Sequence, residues 1–106
     1  MRAIVLAQLD KPRPALVLTR EIAQSYLTSV TVAPITSTIR GLSTEVLLDH
    51  RNGLDHNCVA SCDNITTIPA TAILRQIGLL LDDQEAGLSR AINAAFDLRR
   101  EEPKPG

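Results

Sequence analysis

Apolar residues in this chain come mostly in short runs broken by turn-forming residues, a pattern that predicts strands rather than long helices. The run "AIVLAQL" from Ala3 to Leu9 is partly β-favouring and is stopped by Asp10, and "ALVLT" resumes at Ala15. Together they predict two neighbouring strands with Arg13 carried by the turn between them. "EIAQSYL" predicts a brief helix, and "TSVTVAPITS" then alternates in the period of a half-buried strand. Pro34 interrupts that strand; donating no ladder hydrogen bond, proline is tolerated in sheets at edges, strand starts or bulges. Val30 and Val32 share a face. Without a bulge Thr36 follows them into the core and Ile35 faces out, whereas one extra residue at Pro34 reverses both. The pattern therefore predicts a bulge that exposes Thr36. "STEVLL", "CVASC", "NITTI" and "LRQIGLLL" add four more short strands, giving a mainly antiparallel barrel or strongly bent sheet.

The last segment changes period. In "DDQEAGLSRAINAAFDLRR", Leu88, Ala91, Ile92, Ala95 and Phe96 recur at three- and four-residue steps, one stripe of an amphipathic helix. Asp82 followed by Glu85 resembles a capping box, and Arg99 and Arg100 suit the negative pole of the helix dipole. The helix either covers the sheet or lends part of its stripe to a dimer contact. At 106 residues, 44% hydrophobic and 22% charged, the chain has the size and composition of one domain with one modest core. That domain is expected over 1–98, with a short charged, proline-containing tail over 99–106. No apolar run approaches the roughly 20 residues of a membrane span, and the start is too short in its apolar part for a signal peptide. A cytoplasmic protein without membrane contact is expected.

Three features bear on chemistry. Pro12 and Pro14 fix their own φ and push Lys11 and Arg13 toward extended conformations, so the Arg13 guanidinium is held on a stiff backbone. A fork of donors held in that way suits a phosphate, or the extra negative charge of a pentacoordinate transition state; it also suits a surface salt bridge. "PITSTIR" places hydroxyls at Thr36, Ser37 and Thr38 beside the predicted bulge, followed by Arg40, and these either hold phosphate oxygens or serve as turn and capping groups. Cys58 and Cys62 share a face if "CVASC" is a strand, yet four residues at about 3.3 Å rise put their Cα atoms beyond the roughly 7 Å reach of a disulfide. His50 and His56 with the two cysteines fit no standard zinc spacing, so no metal is expected. A formal net charge of −1 lacks the strongly basic footprint of many nucleic-acid binders, without preventing a local basic face. With no acid cluster, G-x-S-x-G elbow or P-loop, metal-free RNA cleavage is the nuclease chemistry that remains, and no cofactor is expected.

The order of these parts resembles the MazF/PemK family of toxin endoribonucleases, the mRNA interferases, over almost the whole chain. The Arg-Pro that begins strand two and the Pro-Ile-Thr-Ser that closes strand three are the blocks that carry the resemblance, with "GLDHNCVASCDNITTI" and the closing "LRQIGLLL" plus helix following in order. It implies an SH3-like antiparallel barrel with a C-terminal helix, assembled as a homodimer. It also implies metal-independent cutting of single-stranded RNA at short motifs, by attack of a ribose 2′-hydroxyl that leaves 2′,3′-cyclic phosphate and 5′-hydroxyl ends. The family's catalytic arginine falls on Arg13 and its threonine on Thr36. Ser37, Thr38, Arg40 and Lys11 are carried as substrate-binding candidates. A small antitoxin with an extended acidic segment is the implied protein partner.

Family members usually carry a long, Gly-rich loop with an acid between strands one and two, which this chain shortens to "QLDKPR"; Asp10 is the acid left there and reads as a turn residue. Tyr26 and Phe96 are the only aromatics, so base recognition falls to polar loops that include Arg40, His50, Arg51, Asn52, His56 and Asn57. Two other functions suit the same fold: a non-catalytic toxin acting on a protein such as gyrase, and an RNA-binding module with a decayed site.

Overall fold

The computed structural model describes residues 1–24 and 27–98. In chain order the elements are β1 (Ala3–Gln8), β2 (Pro12–Val17), α1 (Glu21–Gln24), β3 (Ser29–Thr36), β4 (Glu45–Leu48), β5 (Cys58–Ser61), β6 (Thr66–Pro69), β7 (Ile73–Leu79) and α2 (Glu85–Ala95). The strands pair antiparallel in the order β4-β5-β3-β2-β1-β7, and β6 joins β3 on the edge that β5 also uses. Among the described residues no pairing joins β4 to β7, so the mainly antiparallel sheet stays open rather than closing into a barrel.

The central strands are apolar on both faces because a core lies on each side. Ile4, Leu16, Ala33 and Ile35 pack with Val46, Leu48, Leu80 and the α2 residues Leu88 and Ala91. Val5, Ala7, Ala15, Val17, Val30, Val32 and Ile68 form a second cluster. This explains the unbroken runs "AIVLA" and "ALV", which a sheet buried on one face would have alternated. It also corrects the expected bulge at Pro34. The β2–β3 register runs without a shift through Val17–Val32, Leu16–Ala33 and Ala15–Pro34. Simple alternation sends Val30 and Val32 into one core and Ala33 and Ile35 into the other. Thr36 escapes burial because the strand ends there, not because its phase changes. Irregularities in register fall instead in the β1–β7 pair, between Ile4 and Val5 and between Leu6 and Ala7.

Arg13 is likewise inside β2 and not in the turn, paired with Ala7 of β1 while Pro12 and Pro14 pair with Gln8 and Leu6. Cys58 and Cys62 are free thiols buried in the first core, and burial pushes both thiols up from the ordinary range. The stripe of α2 buries Leu88 and Ala91 and half-buries Ile92 and Ala95, but Phe96 is 56% exposed. The helix stops just before it. Asp97 adopts φ 51°, and the amides of Asp97 and Leu98 return to the carbonyls of Ala94 and Asn93, the bond pattern of a Schellman ending. Arg99 and Arg100 lie outside the described residues. At the other end Asp82 and Glu85 form no capping box: in the 3-10 turn Asp82–Gln84 that leads into α2, Gln84 Oε1 accepts from the Leu81 amide at 2.9 Å, while Glu85 accepts from Arg2 Nε at 2.9 Å.

Asn52 locks the 3-10 turn His50–Asn52 onto β7. It is fully buried; its Nδ2 donates to Leu79 O at 2.9 Å and Gln84 Oε1 at 2.7 Å, and its Oδ1 accepts from the Asp49 amide at 3.0 Å and Gln84 Nε2 at 3.2 Å. The residue is therefore not one of the exposed base readers that its polar loop suggested. Asn52→Ala leaves several buried groups unpaired, and we expect a loss of about 2–3 kcal/mol in urea unfolding. A loss under about 0.5 kcal/mol would mean that water replaces the whole network.

Candidate active site at the ends of strands two and three

The pairs Val17–Val32 and Ala15–Pro34 lie on one face of β2 and β3, and extending that register by one more step on the same face would set Arg13 across from Thr36. The first pair is core; Arg13 and Thr36 are part-exposed at the rim. Hydrogen-bonded pairing between the two strands stops at Ala15–Pro34, so it ends just before these two residues would form its next aligned pair on that face. A guanidinium and a hydroxyl thus share one end of a rigid sheet whose inner residues are fixed by packing.

Asp10 is part of this site. From the β1–β2 turn its Oδ1 accepts from Arg13 Nε at 2.7 Å and its Oδ2 from Arg13 Nη2 at 3.1 Å. This grip holds the Asp10 carboxyl down at about 2 and pushes the Arg13 guanidinium further above its ordinary value. Asp10 is therefore ionised at every pH above about 2, and the pair loosens only as the pH falls through that value. The side-on grip leaves both Nη1 protons and one Nη2 proton of Arg13 for an anion. Turn chemistry alone gave Asp10 no such role; a spacing of three residues between acid and arginine was the available signal.

Thr36 Oγ1 accepts from the Thr38 amide at 3.2 Å, which leaves its proton to donate. Beyond it, Thr36, Thr38, Arg40, Leu42, Glu45, Ser61, Asp63 and Asn64 line a cavity of about 380 Å³. Glu45 accepts from the amides of Arg40 and Leu42 at 3.1–3.3 Å and so fixes the loop that follows β3. Of the expected residues, Thr36, Thr38 and Arg40 meet in this cavity; Ser37 is exposed beside it, and Lys11 is exposed in the β1–β2 turn next to Asp10. Ser61, Asp63 and Asn64 escaped the sequence because pairing of β3 with β5, Ile35 to Ala60 and Thr36 to Val59, brings them in from far along the chain. Arg51 instead pairs with Asp49 and Asp83, and among the described residues no three His, Cys, Asp or Glu side chains gather as metal ligands.

Residues 2–96 match the family model described as PemK-like, MazF-like toxin of type II toxin-antitoxin system. The chain belongs to this toxin family. It is 59% identical over 98 residues to endoribonuclease MazF3 of Mycobacterium tuberculosis, covering 92% of this chain and 95% of that one. It is 30% identical over 89 residues to the probable endoribonuclease MazF5 of the same organism, covering 83% of this chain and 82% of that one. The structure titled Mycobacterium tuberculosis toxin MazF-mt6 superposes with a TM-score of 0.91 at 57% identity, over 93% of this chain and 100% of that one. A mycobacterial endoribonuclease in complex with its cognate antitoxin shares the fold, with a TM-score of 0.83 at 19% identity, over 93% of this chain and 95% of that one.

If Asp10 orients the toxin's arginine, Asp10→Asn should lower the turnover of a cleaved RNA roughly tenfold, the effect of one charge-assisted hydrogen bond, with KM little changed. Steady-state kinetics on a short fluorogenic RNA checks this. An unchanged turnover would reduce Asp10 to a turn residue.

Proposed function

We propose that this MazF-like toxin is an endoribonuclease that cuts single-stranded RNA at short sequence motifs without a metal, with Arg13 and Thr36 as its catalytic residues. The observation that carries the reading is that Arg13 and Thr36 stand just past the last pair of the β2–β3 ladder, Ala15–Pro34, whose strands are anchored by the buried Ala15, Val17 and Val32. The ribose 2′-hydroxyl attacks the adjacent phosphorus and loses its proton; the bond from phosphorus to O5′ breaks and O5′ takes up a proton. The products are a 2′,3′-cyclic phosphate and a 5′-hydroxyl. In the pentacoordinate transition state the free Nη protons of Arg13 meet the growing charge on the equatorial oxygens, and the Thr36 hydroxyl donates to the same phosphate. Arg13 acts as a fixed cation, since the Asp10 carboxylate makes its proton harder to remove.

Lys11 and Arg40 flank the pair and supply further positive charge for neighbouring phosphates, with Ser37 and Thr38 as hydroxyl donors. Residues 1–98 act as one domain, in keeping with the family match over 2–96. The toxin works as a homodimer in the cytoplasm, and a small antitoxin covers the basic rim with an acidic segment. Among the described residues no helix is long and apolar enough to cross a membrane. A toxin acting on a protein target gives no reason for Arg13 and Thr36 to stand together, and a module that only binds RNA would hold phosphates with the same groups and leave the strand whole.

The test is incubation of the chain with a mixed single-stranded RNA pool in EDTA, followed by sequencing of the new ends. Cutting at one short motif is expected. Intact RNA after incubation with the folded chain would overturn the proposal.

A further inference from the structure

The cavity beside Thr36 has more recognition chemistry than phosphate transfer uses. Its polar groups are partly committed inside the protein, and what remains uncommitted has a definite character. Both Glu45 oxygens are occupied by backbone amides. Asp63 Oδ2 accepts from the Thr44 hydroxyl at 2.7 Å, so the carboxylate is oriented and Oδ1 is left as an acceptor. Asn64 Nδ2 donates to Ser61 Oγ at 2.9 Å, leaving its carbonyl oxygen and second amide proton. Among the described residues no carboxylate pairs with the Arg40 guanidinium, a planar cation suited to stacking or to a flanking phosphate. Leu42 adds an apolar patch.

At about 380 Å³ the cavity lies at the small end of ligand sites and has room for a nucleobase. Because the Thr44 and Ser61 bonds hold Asp63 and Asn64 in place beforehand, little ordering is needed when a ligand arrives. An acceptor-only carboxylate rewards a base with an exocyclic amino group, as in its pairing with cytosine N4, and meets the O4 carbonyl of uracil with repulsion.

We infer that this cavity is a base-reading subsite that takes one amino-bearing nucleobase next to the scissile phosphate and rejects uracil there, with Asp63 as the selecting residue. The inference rests on the ribonuclease reading above. Thr36 joins the two, since it lines the cavity and its hydroxyl is the group assigned to the phosphate.

The experiment compares the wild-type chain and Asp63→Asn on an RNA library randomised around the cut. Asparagine keeps an oxygen for the Thr44 hydroxyl but adds an amide donor that can serve uracil O4. The wild type should discriminate against uracil about tenfold at one position flanking the cut, and Asp63→Asn should erase or reverse this while the end chemistry stays the same. An unchanged preference in Asp63→Asn, or an equal loss of rate on all sequences, would overturn the subsite. Should Asp63→Asn lose its circular dichroism, Thr44→Val reads the same position by releasing the carboxylate, and the preference should weaken. Failure of the ribonuclease reading shows separately, as no cutting by the wild type. Selection of 2′-O-methyl RNA by binding to the two proteins then decides the subsite, a shared base preference counting against it.

Discussion

Arg13→Ala is expected to lower the rate of RNA cleavage by a factor on the order of 10² to 10³, the usual consequence of removing one preorganised donor from the site of developing charge. The size of the effect follows from how Arg13 is held. Two prolines stiffen its backbone, pairing with Ala7 fixes its height on the sheet, and Asp10 fixes the direction of its fork. Water or a flexible lysine would have to reorganise at the moment of reaction, so Arg13→Lys should recover only part of the loss. Both guanidinium and partner are solvent-exposed, so the thermal midpoint should stay close to that of the wild type. Single-turnover kinetics with saturating protein, run beside a thermal melt, separates the two effects. A variant that melts normally and cuts at the wild-type rate would remove Arg13 from the mechanism.

Gly78→Ala has the largest expected effect on stability. A Cβ at Gly78 would lie 1.8 Å from Asn52 O and 2.5 Å from Asn52 C, and a Cβ at Gly53 would lie 2.0 Å from Ile77 O. Two backbones touch here, with Gly53 at φ 82° closing the turn, so no side chain can swing aside. The methyl must part the turn from β7 and pull on the Asn52 bonds to Leu79 and Gln84. We expect a cost of about 3 kcal/mol, near the top of the range for overpacking, and a fall in the melting midpoint of roughly 15 °C. Differential scanning calorimetry measures both. A fall of under about 3 °C would show that the turn can move away from the strand without loss.

The sequence showed the strands better than the way they pack. Continuous runs such as "AIVLA" located β1, but a single core was expected, and that assumption made Pro34 a bulge; with a core on each face, plain alternation accounts for Val32, Ala33 and Ile35 together. The stripe of α2 was legible through Ala95. Its end was not, because an aspartate in the left-handed region carries no clear signal at Asp97. Arg13 and Thr36 stood out because prolines and clustered hydroxyls are local features. Asp10 did not, since an ion pair across a turn depends on where two side chains point. Asp63 and Asn64 reach Thr36 only through the pairing of β3 with β5, and Asn52 looked solvated because a polar loop does not reveal which of its residues turns inward.

The most direct test of the mechanism replaces one atom of the substrate. Once the cut site is mapped, an RNA carrying a single 2′-deoxyribose on the 5′ side of the scissile phosphate is offered to the toxin in EDTA, beside the all-ribose strand. Attack by the 2′-hydroxyl predicts that the ribose strand yields a 2′,3′-cyclic phosphate and a 5′-hydroxyl, and that the deoxy strand binds but stays whole. Cleavage of the deoxy strand at the same bond would mean that water or a protein group is the nucleophile, and would contradict the roles given to Arg13 and Thr36.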